Sequence, residues 1–186
     1  AERSGVAATV RAAPARRLAL ACFCSDLGFE RMLSAEQWAS LLAASAPEAR
    51  EITLLGSAAE RGKAEEFCRV LATALPRAKI ENACGGLSLL DSARAIAAAD
   101  RFWSIDTGLL HIARLLGVPS TSFWGPTDPA TLLMPVPDLD EAVNYRRIAC
   151  SPCVHITEIP PCGGRNLCMH AHTEPVDPNP VWIVRG

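Results

Sequence analysis

The sequence predicts an α/β fold, a doubly wound parallel sheet, and three observations carry that prediction. Short apolar runs of strand length alternate with amphipathic helical stretches from residue 17 to residue 125. The helical stretches carry their own start and stop signals: Ser34 and Ser88 at N-cap positions, and Pro76 and Gly117 just past the ends. The chain of 186 residues is 49% hydrophobic and 20% charged, a globular composition large enough for one substantial core. Strands joined through helices of this length imply right-handed crossovers and a parallel sheet.

In chain order, "RLALACFC" (17–24) reads as the first strand and "SAEQWASLLAASA" (34–46) as a helix with Trp38, Leu41 and Leu42 at helical spacing. "EITLLGS" (51–57) is a strand ending at Gly56, and "AERGKAEEFCRVLATAL" (59–75) an amphipathic helix. "AKIENAC" (78–84) fits a strand. "SLLDSARAIAAAD" (88–100) is a helix with Ser88 as N-cap and Asp91 three residues on, close to a capping box. "RFWSI" (101–105), "TGLLHIARLLG" (107–117) and "VPSTSFWG" (118–125) give strand, helix and strand. Beyond Thr127 the periodicity stops, and "AVNYRRIAC" is a candidate sixth strand. The architecture is Rossmann-like. It lacks a G-x-G-x-x-G after its first strand, so the dinucleotide fingerprint is absent. The chain divides into a lead or linker (1–16), the Rossmann-like domain (17–149), a Cys-rich segment (150–172) and a Pro-rich tail (173–186).

Charge and hydropathy exclude several classes. The net charge is −2, with no basic field for nucleic acid, and Arg11, Arg16 and Arg17 read as a solvated segment at the start. No apolar run approaches the ~20 residues needed to cross a bilayer, and "RRLALACFC" is too short in its apolar part for a secretory signal. The expected location is cytoplasmic or peripheral.

Chemistry concentrates where the fourth strand of this map meets the next helix, at Asp106, Thr107, Gly108 and His111. A helix N-terminus presents unpaired amides and a positive dipole end, suited to a phosphate. Gly108 allows close backbone approach, Thr107 adds a hydroxyl, and His111, four residues on, can face the same mouth. Singly, Asp106 also reads as a plain N-cap and His111 as a packed interface residue. "FWGPTDP" makes a turn at the same sheet edge, either a simple strand-ending turn or a second wall of one crevice.

These residues carry a resemblance. "DTGLLHIARLLGVPSTSFWGPTDP" resembles the D-[ST]-G-x-x-H-[IL]-A signature and following G-P-T turn of the glycosyltransferase family 9 heptosyltransferases. "FERMLSAEQWASLLA", "ITLLGSAAER", "GGLSLLDSARAIAAAD" and "CSPCVHITEIPPCGGRNLCM" resemble the family's other segments in the same order. The similarity spans roughly residues 17–172. It implies the carboxyl-terminal, donor-binding half of a GT-B enzyme, with the acceptor-binding amino-terminal domain elsewhere. It further implies a nucleotide-diphosphate sugar such as ADP-heptose, inverting transfer to a lipopolysaccharide-type or protein acceptor, no metal for transfer, and a place at the inner face of the inner membrane with peripheral contact. Carried over by position, Asp106, Thr107, Gly108 and His111 meet the donor's diphosphate and sugar. Ser25 supplies a hydroxyl, Arg31 stands where the family has a lysine and offsets leaving-group charge, and Leu87 lines the base pocket or is a core leucine. The base belongs to the missing half. A departure from the pattern is Leu109 where the family often has Pro. The alternative is a stand-alone nucleotide-sugar-binding or regulatory module without catalysis.

Of eight cysteines, Cys150, Cys153, Cys162 and Cys168 form a cluster. Cys150-x2-Cys153 suits a grip on one metal from a tight turn, and four thiolates suit a tetrahedral structural Zn or Fe. The resemblance supports that reading through members with an iron-holding Cys finger. Four reduced thiols or two disulfides are the alternatives.

Overall fold

A computed structural model of the chain describes residues 15–24, 29–154 and 160–173. Six parallel strands, β1 (Arg17–Ala21), β2 (Glu51–Leu54), β3 (Lys79–Asn82), β4 (Arg101–Ile105), β5 (Ser120–Trp124) and β6 (Glu141–Tyr145), pair in the order β3-β2-β1-β4-β5-β6. The order reverses direction between β1 and β4, and doubly wound sheets bind ligands at the carboxyl ends of the strands at that point.

Successive strand residues feed opposite faces. Leu18 and Leu20 join one core cluster with Trp38, Leu41 and Leu42 of α1 (Ala35–Ser45) and Ala64, Phe67 and Leu71 of α2 (Arg61–Ala74). Ala19 and Ala21 join the other, with Ile96 of α3 (Leu89–Ala98) and Leu110 and Ala113 of α4 (Gly108–Leu115). Helices thus cover both faces, as the alternation predicts. α1 starts at a full capping box, with Gln37 N–H on Ser34 Oγ at 3.2 Å and Ser34 N–H on Gln37 Oε1 at 3.1 Å. At Ser88 only half of that arrangement forms. Asp91 N–H reaches Ser88 Oγ at 3.1 Å, and the Ser88 hydroxyl donates to the Asp91 carboxylate at 2.6 Å.

The strands end earlier than the apolar runs. The first, expected over 17–24, stops at Ala21, where its register against β4 reaches Ser104. Cys22–Cys24 continue off the sheet. The second, expected over 51–57, stops at Leu54. These overhangs form the loops at the ligand edge. The stretch beyond Thr127, read as patternless, contains a short helix α5 (Pro129–Leu132), capped by the Asp128 side chain on Ala130 N–H at 2.9 Å. The candidate sixth strand is real, and its first residue is tied to α4: Arg114 Nε lies 2.8 Å and Nη2 3.2 Å from the Glu141 carboxylate, both side chains buried. Arg11 lies outside the described residues; Arg16 and Arg17 are solvent-exposed, as expected, but anchored. Both amides and the Arg17 guanidinium bind Asp100, with Arg17 Nη2 at 2.8 Å, and Arg17 opens β1. Among the described residues no helix is long and apolar enough to cross a membrane.

Candidate functional site

A crevice of about 630 Å³ opens at the carboxyl ends of β1, β2 and β4, within the size range of small-molecule sites. The loop after β1 contributes Phe23, Cys24 and Arg31, and the loop after β2 contributes Gly56, Ser57 and Glu60. Leu87 and Leu89 come from the approach to α3, and Asp106, Thr107, Gly108, Leu109 and Ile112 from the start of α4. Arg31, Asp106 and Thr107 bring polar groups from the β1/β4 side and Ser57 and Glu60 from the β2 side, while Leu87, Leu89, Leu109 and Ile112 are apolar.

Residues at 31 and 106 meet because β1 and β4 are neighbours in the sheet. Arg31 Nη1 lies 3.2 Å from Asp106 Oδ2 and 3.2 Å from the Asp106 carbonyl. The pair is largely shielded, with side-chain exposures of 22% and 8%, so the guanidinium is held at the mouth of α4 rather than free in solvent. Thr107 is the N-cap in extended conformation, and its hydroxyl lies 3.2 Å from Ser104 Oγ. Leu110 N–H turns back to Thr107 O at 3.2 Å, which leaves the Gly108 and Leu109 amides as donors that helix geometry cannot pair. A Cβ placed on Gly108 would meet nothing within 4 Å, and Gly108 and Leu109 both line the crevice. The arrangement presents one fixed cation and two amides to an anion at a dipole end.

Cys24 lines the same crevice. Burial pushes its thiol up to about 11; Glu30 and Glu60 add to the rise and Arg31 opposes it. It stays a neutral thiol at physiological pH. Glu60 is held by Ser57, whose amide and hydroxyl both donate to Glu60 Oε2, at 2.6 and 3.0 Å.

The structure therefore brings together Arg31, Leu87, Asp106, Thr107 and Gly108. Ser25 lies outside the described residues. His111 does not line this crevice. Thr107 is the N-cap of α4 (φ −144°, ψ 163°), and within α4 Gly108, Leu109 and Ile112 line the crevice. Leu87 is 39% exposed and belongs to the crevice wall, not to the core. Cys24, Ser57 and Glu60 went unnoticed in the sequence. The S-x-x-E spacing just after Gly56, a capping-box signature, was the available signal for the last two.

The Cys-rich segment is bound at the carboxyl end of β5. Its described part carries a one-turn helix, α6 (Leu167–His170). A Cβ on Gly125 would come within 2.7 Å of Cys168 Sγ and 2.9 Å of Met169 Sδ, so the segment rests directly on that backbone. The Cys153 and Val154 amides bind Pro126 O, His172 Nε2 pairs with Trp124 O at 2.9 Å, and Gln37 Nε2 donates to Met169 O at 2.9 Å. Burial draws the His172 imidazole down to about 4, against the pull of the Trp124 carbonyl, and the ring is neutral at physiological pH. Burial alone would raise the Cys162 thiol, yet the amides of Leu167, Asn166, Gly164 and Arg165 hold it below its usual value. Among the described residues no three Cys, His, Asp or Glu side chains converge as metal ligands. Charge on Cys150 and Cys162 adds to the burial that raises the Cys153 thiol, and charge on Cys153 adds to the burial that raises Cys168, so the four cysteines lie near one another. Cys168 packs on Gly125, and Cys162 lies in a ring of amides.

A family model described as glycosyltransferase family 9 (heptosyltransferase) matches residues 2–162. Lipopolysaccharide heptosyltransferase 1 of Pseudomonas aeruginosa is 42% identical over 76 residues, which cover 40% of this chain and 19% of that protein. Among solved structures, E. coli ADP-heptose lps heptosyltransferase II superposes with a TM-score of 0.60 at 19% identity, covering 87% of this chain and 49% of that one. E. coli heptosyltransferase WaaC with ADP superposes with a TM-score of 0.54 at 22% identity, covering 85% and 42%. The chain thus spans half or less of the length of the relatives it matches.

Proposed function

The chain belongs to glycosyltransferase family 9, the heptosyltransferases, and from that membership we propose that its crevice binds the nucleotide-diphosphate sugar used in glycosyl transfer. The observation that carries the reading is the convergence of Arg31, paired to Asp106 at 3.2 Å, with the open amides of Gly108 and Leu109 at the switch point of the sheet. The diphosphate sits against those donors. The Arg31 charge offsets the negative charge that grows on the departing nucleoside diphosphate, a stabilisation realised most fully in the transition state. Arg carries a permanent charge in a planar fork and so can hold two phosphate oxygens at once. Leu87 and its apolar neighbours take the face of the base. Asp106 holds Arg31 in place and faces the sugar.

ADP-heptose is the donor this reading favours. One solved relative of the same fold, E. coli heptosyltransferase WaaC, is described in one structure with ADP and in another with ADP-2-deoxy-2-fluoro heptose. The acceptor, a lipopolysaccharide-type sugar or a protein, and the general base that takes its proton are assigned to an acceptor-binding domain outside this chain. The protein acts at the cytoplasmic face of the inner membrane, where such an acceptor is built. Because the chain spans half or less of its relatives, the second reading is a nucleotide-sugar-binding module that performs no transfer by itself.

Thermal denaturation with and without ADP tests the donor site. Ligand at about 100 times its Kd stabilises a single site by about 2.7 kcal/mol, which raises Tm by several degrees. Equal melting temperatures with millimolar ADP, with ADP-heptose also inert, would overturn the reading.

A further inference from the structure

We infer that Gln37 is a positioning residue for Arg31: it ties the Cys-rich segment to the start of α1, and through that tie the segment sets where the guanidinium stands in the crevice. The inference rests on the donor site proposed above and names a residue that does not itself line the crevice.

Gln37 uses both ends of its side-chain amide. Oε1 accepts the Ser34 N–H at 3.1 Å and completes the cap that starts α1. Nε2 donates to Met169 O at 2.9 Å and to His172 O at 3.3 Å. These partners fix which way the amide points, because an N–H faces the oxygen and two carbonyls face the nitrogen. A capping box needs only the acceptor, and a glutamate would supply it equally well. The donor does nothing for the cap. It reaches across 132 and 135 positions of sequence to hold the Cys-rich segment.

The segment at the far end of that tie is firmly seated. Cys168 and Met169 pack on Gly125, and His172 Nε2 pairs with Trp124 O at 2.9 Å. The Phe123 ring joins the two sides. His172 meets it edge-on with centroids 5.3 Å apart, and Trp38, next to Gln37, meets it edge-on at 5.3 Å as well. The start of α1 is thus drawn to the carboxyl end of β5 by hydrogen bonds and by ring packing.

From Gln37 back to Arg31 the chain has little slack. A single 3-10 turn, Phe29–Arg31, ends three residues before Ser34. Leu33, between them, is buried in the core, and Met32 packs against it. Glu30 of the same turn lies near Cys153, since its charge adds to the burial that raises that thiol. Arg31 Nη1 stands 3.2 Å from both the carboxylate and the carbonyl of Asp106. A shift of about half an ångström takes both contacts past the ~3.6 Å at which a hydrogen bond is lost. Releasing the start of α1 therefore frees the guanidinium from the mouth of α4.

Titration calorimetry of the chain with ADP tests the link. Gln37→Glu keeps the acceptor that the Ser34 N–H uses and sets a carboxylate against two carbonyls, so it breaks the tie and spares the cap. It is expected to weaken ADP about three- to tenfold when Arg31 is present and less than about 1.5-fold in an Arg31→Met background, because a residue acting through Arg31 has nothing to move once the guanidinium is gone. Gly117→Ala is the control for stability alone. It meets a strained φ of +69° in open space, lowers Tm and leaves ADP affinity unchanged. Should Gln37→Glu not fold, Gln37→Met, which removes the donor without burying a charge, is expected to show the same dependence on Arg31. Native ADP affinity in the Gln37 variant, or an equal loss with and without Arg31, would overturn the inference. If native protein does not bind ADP, the donor site itself fails, and urea denaturation reads the link instead. The stability lost through Arg31→Met includes its pair with Asp106, so that loss should shrink in the Gln37→Glu background; strictly additive losses overturn the inference.

Discussion

Arg31 and Asp106, 75 positions apart in the chain, are joined twice: one guanidinium nitrogen donates to both the carboxylate and the carbonyl of Asp106 at 3.2 Å. The double contact orients the cation over the first turn of α4. A lone surface ion pair of this length would contribute little. Here the pair is mostly shielded, and its significance lies in where it holds the charge.

Replacing Arg31 by Met should weaken ADP binding about 10- to 100-fold, the loss of one or two charge-assisted hydrogen bonds of about 1.5–3 kcal/mol. Arg31→Lys should lose less, since it keeps the charge and forfeits the fork. Titration calorimetry reads both. An Arg31→Met affinity equal to the native value would remove the guanidinium from the site.

Stability should fall in acid through His172. Its folded value of about 4 lies below the ~6.5 of an unfolded histidine. The unfolded state therefore binds a proton first, so the contribution is complete above pH ~6.5 and disappears as pH drops toward 4. The lost stability is on the order of 3 kcal/mol. His172→Gln should flatten urea-denaturation midpoints between pH 6.5 and 4. Midpoints that drop in parallel for both proteins across that window would place the dependence on other groups. Asp100, held low by its bonds to Arg17, acts only at more acid pH.

Breaking the buried pair between Arg114 and Glu141 should be costly on one side and cheap on both. Arg114→Met leaves the Glu141 carboxylate buried without its partner, a loss of about 3–5 kcal/mol. Adding Glu141→Leu should recover most of it. Denaturant unfolding of the single and double variants checks this, and strictly additive losses would contradict it.

Gly125→Ala should destabilise by about 1–3 kcal/mol through overpacking, because its methyl would press on Cys168 and Met169. Cys168→Ala in the same protein should restore part of the loss. A melting temperature unchanged by Gly125→Ala would show that the Cys-rich segment does not rest on this turn.

Much of the fold was legible because its signals are local. The Ser34 cap, the Pro76 stop and the Gly117 turn each act within one helical turn, and the strand–helix alternation names the sheet class without any knowledge of pairing. The mouth of α4 was legible for the same reason: Thr107 and Gly108 lie next to each other at a strand-to-helix switch. His111 lies outside the crevice lining, which spacing along the chain does not decide.

By itself the sequence determined the alternation of elements, the caps that start them and the place where one helix opens its amino terminus at a strand end, since each depends on neighbours a few residues away. Only the tertiary structure decided that Arg31 meets Asp106, that Glu60 and Cys24 face the same crevice, and that the Cys-rich segment lies on Gly125. Those contacts follow from the order of strands in the sheet, which brings distant loops to one edge, and no local pattern encodes that order.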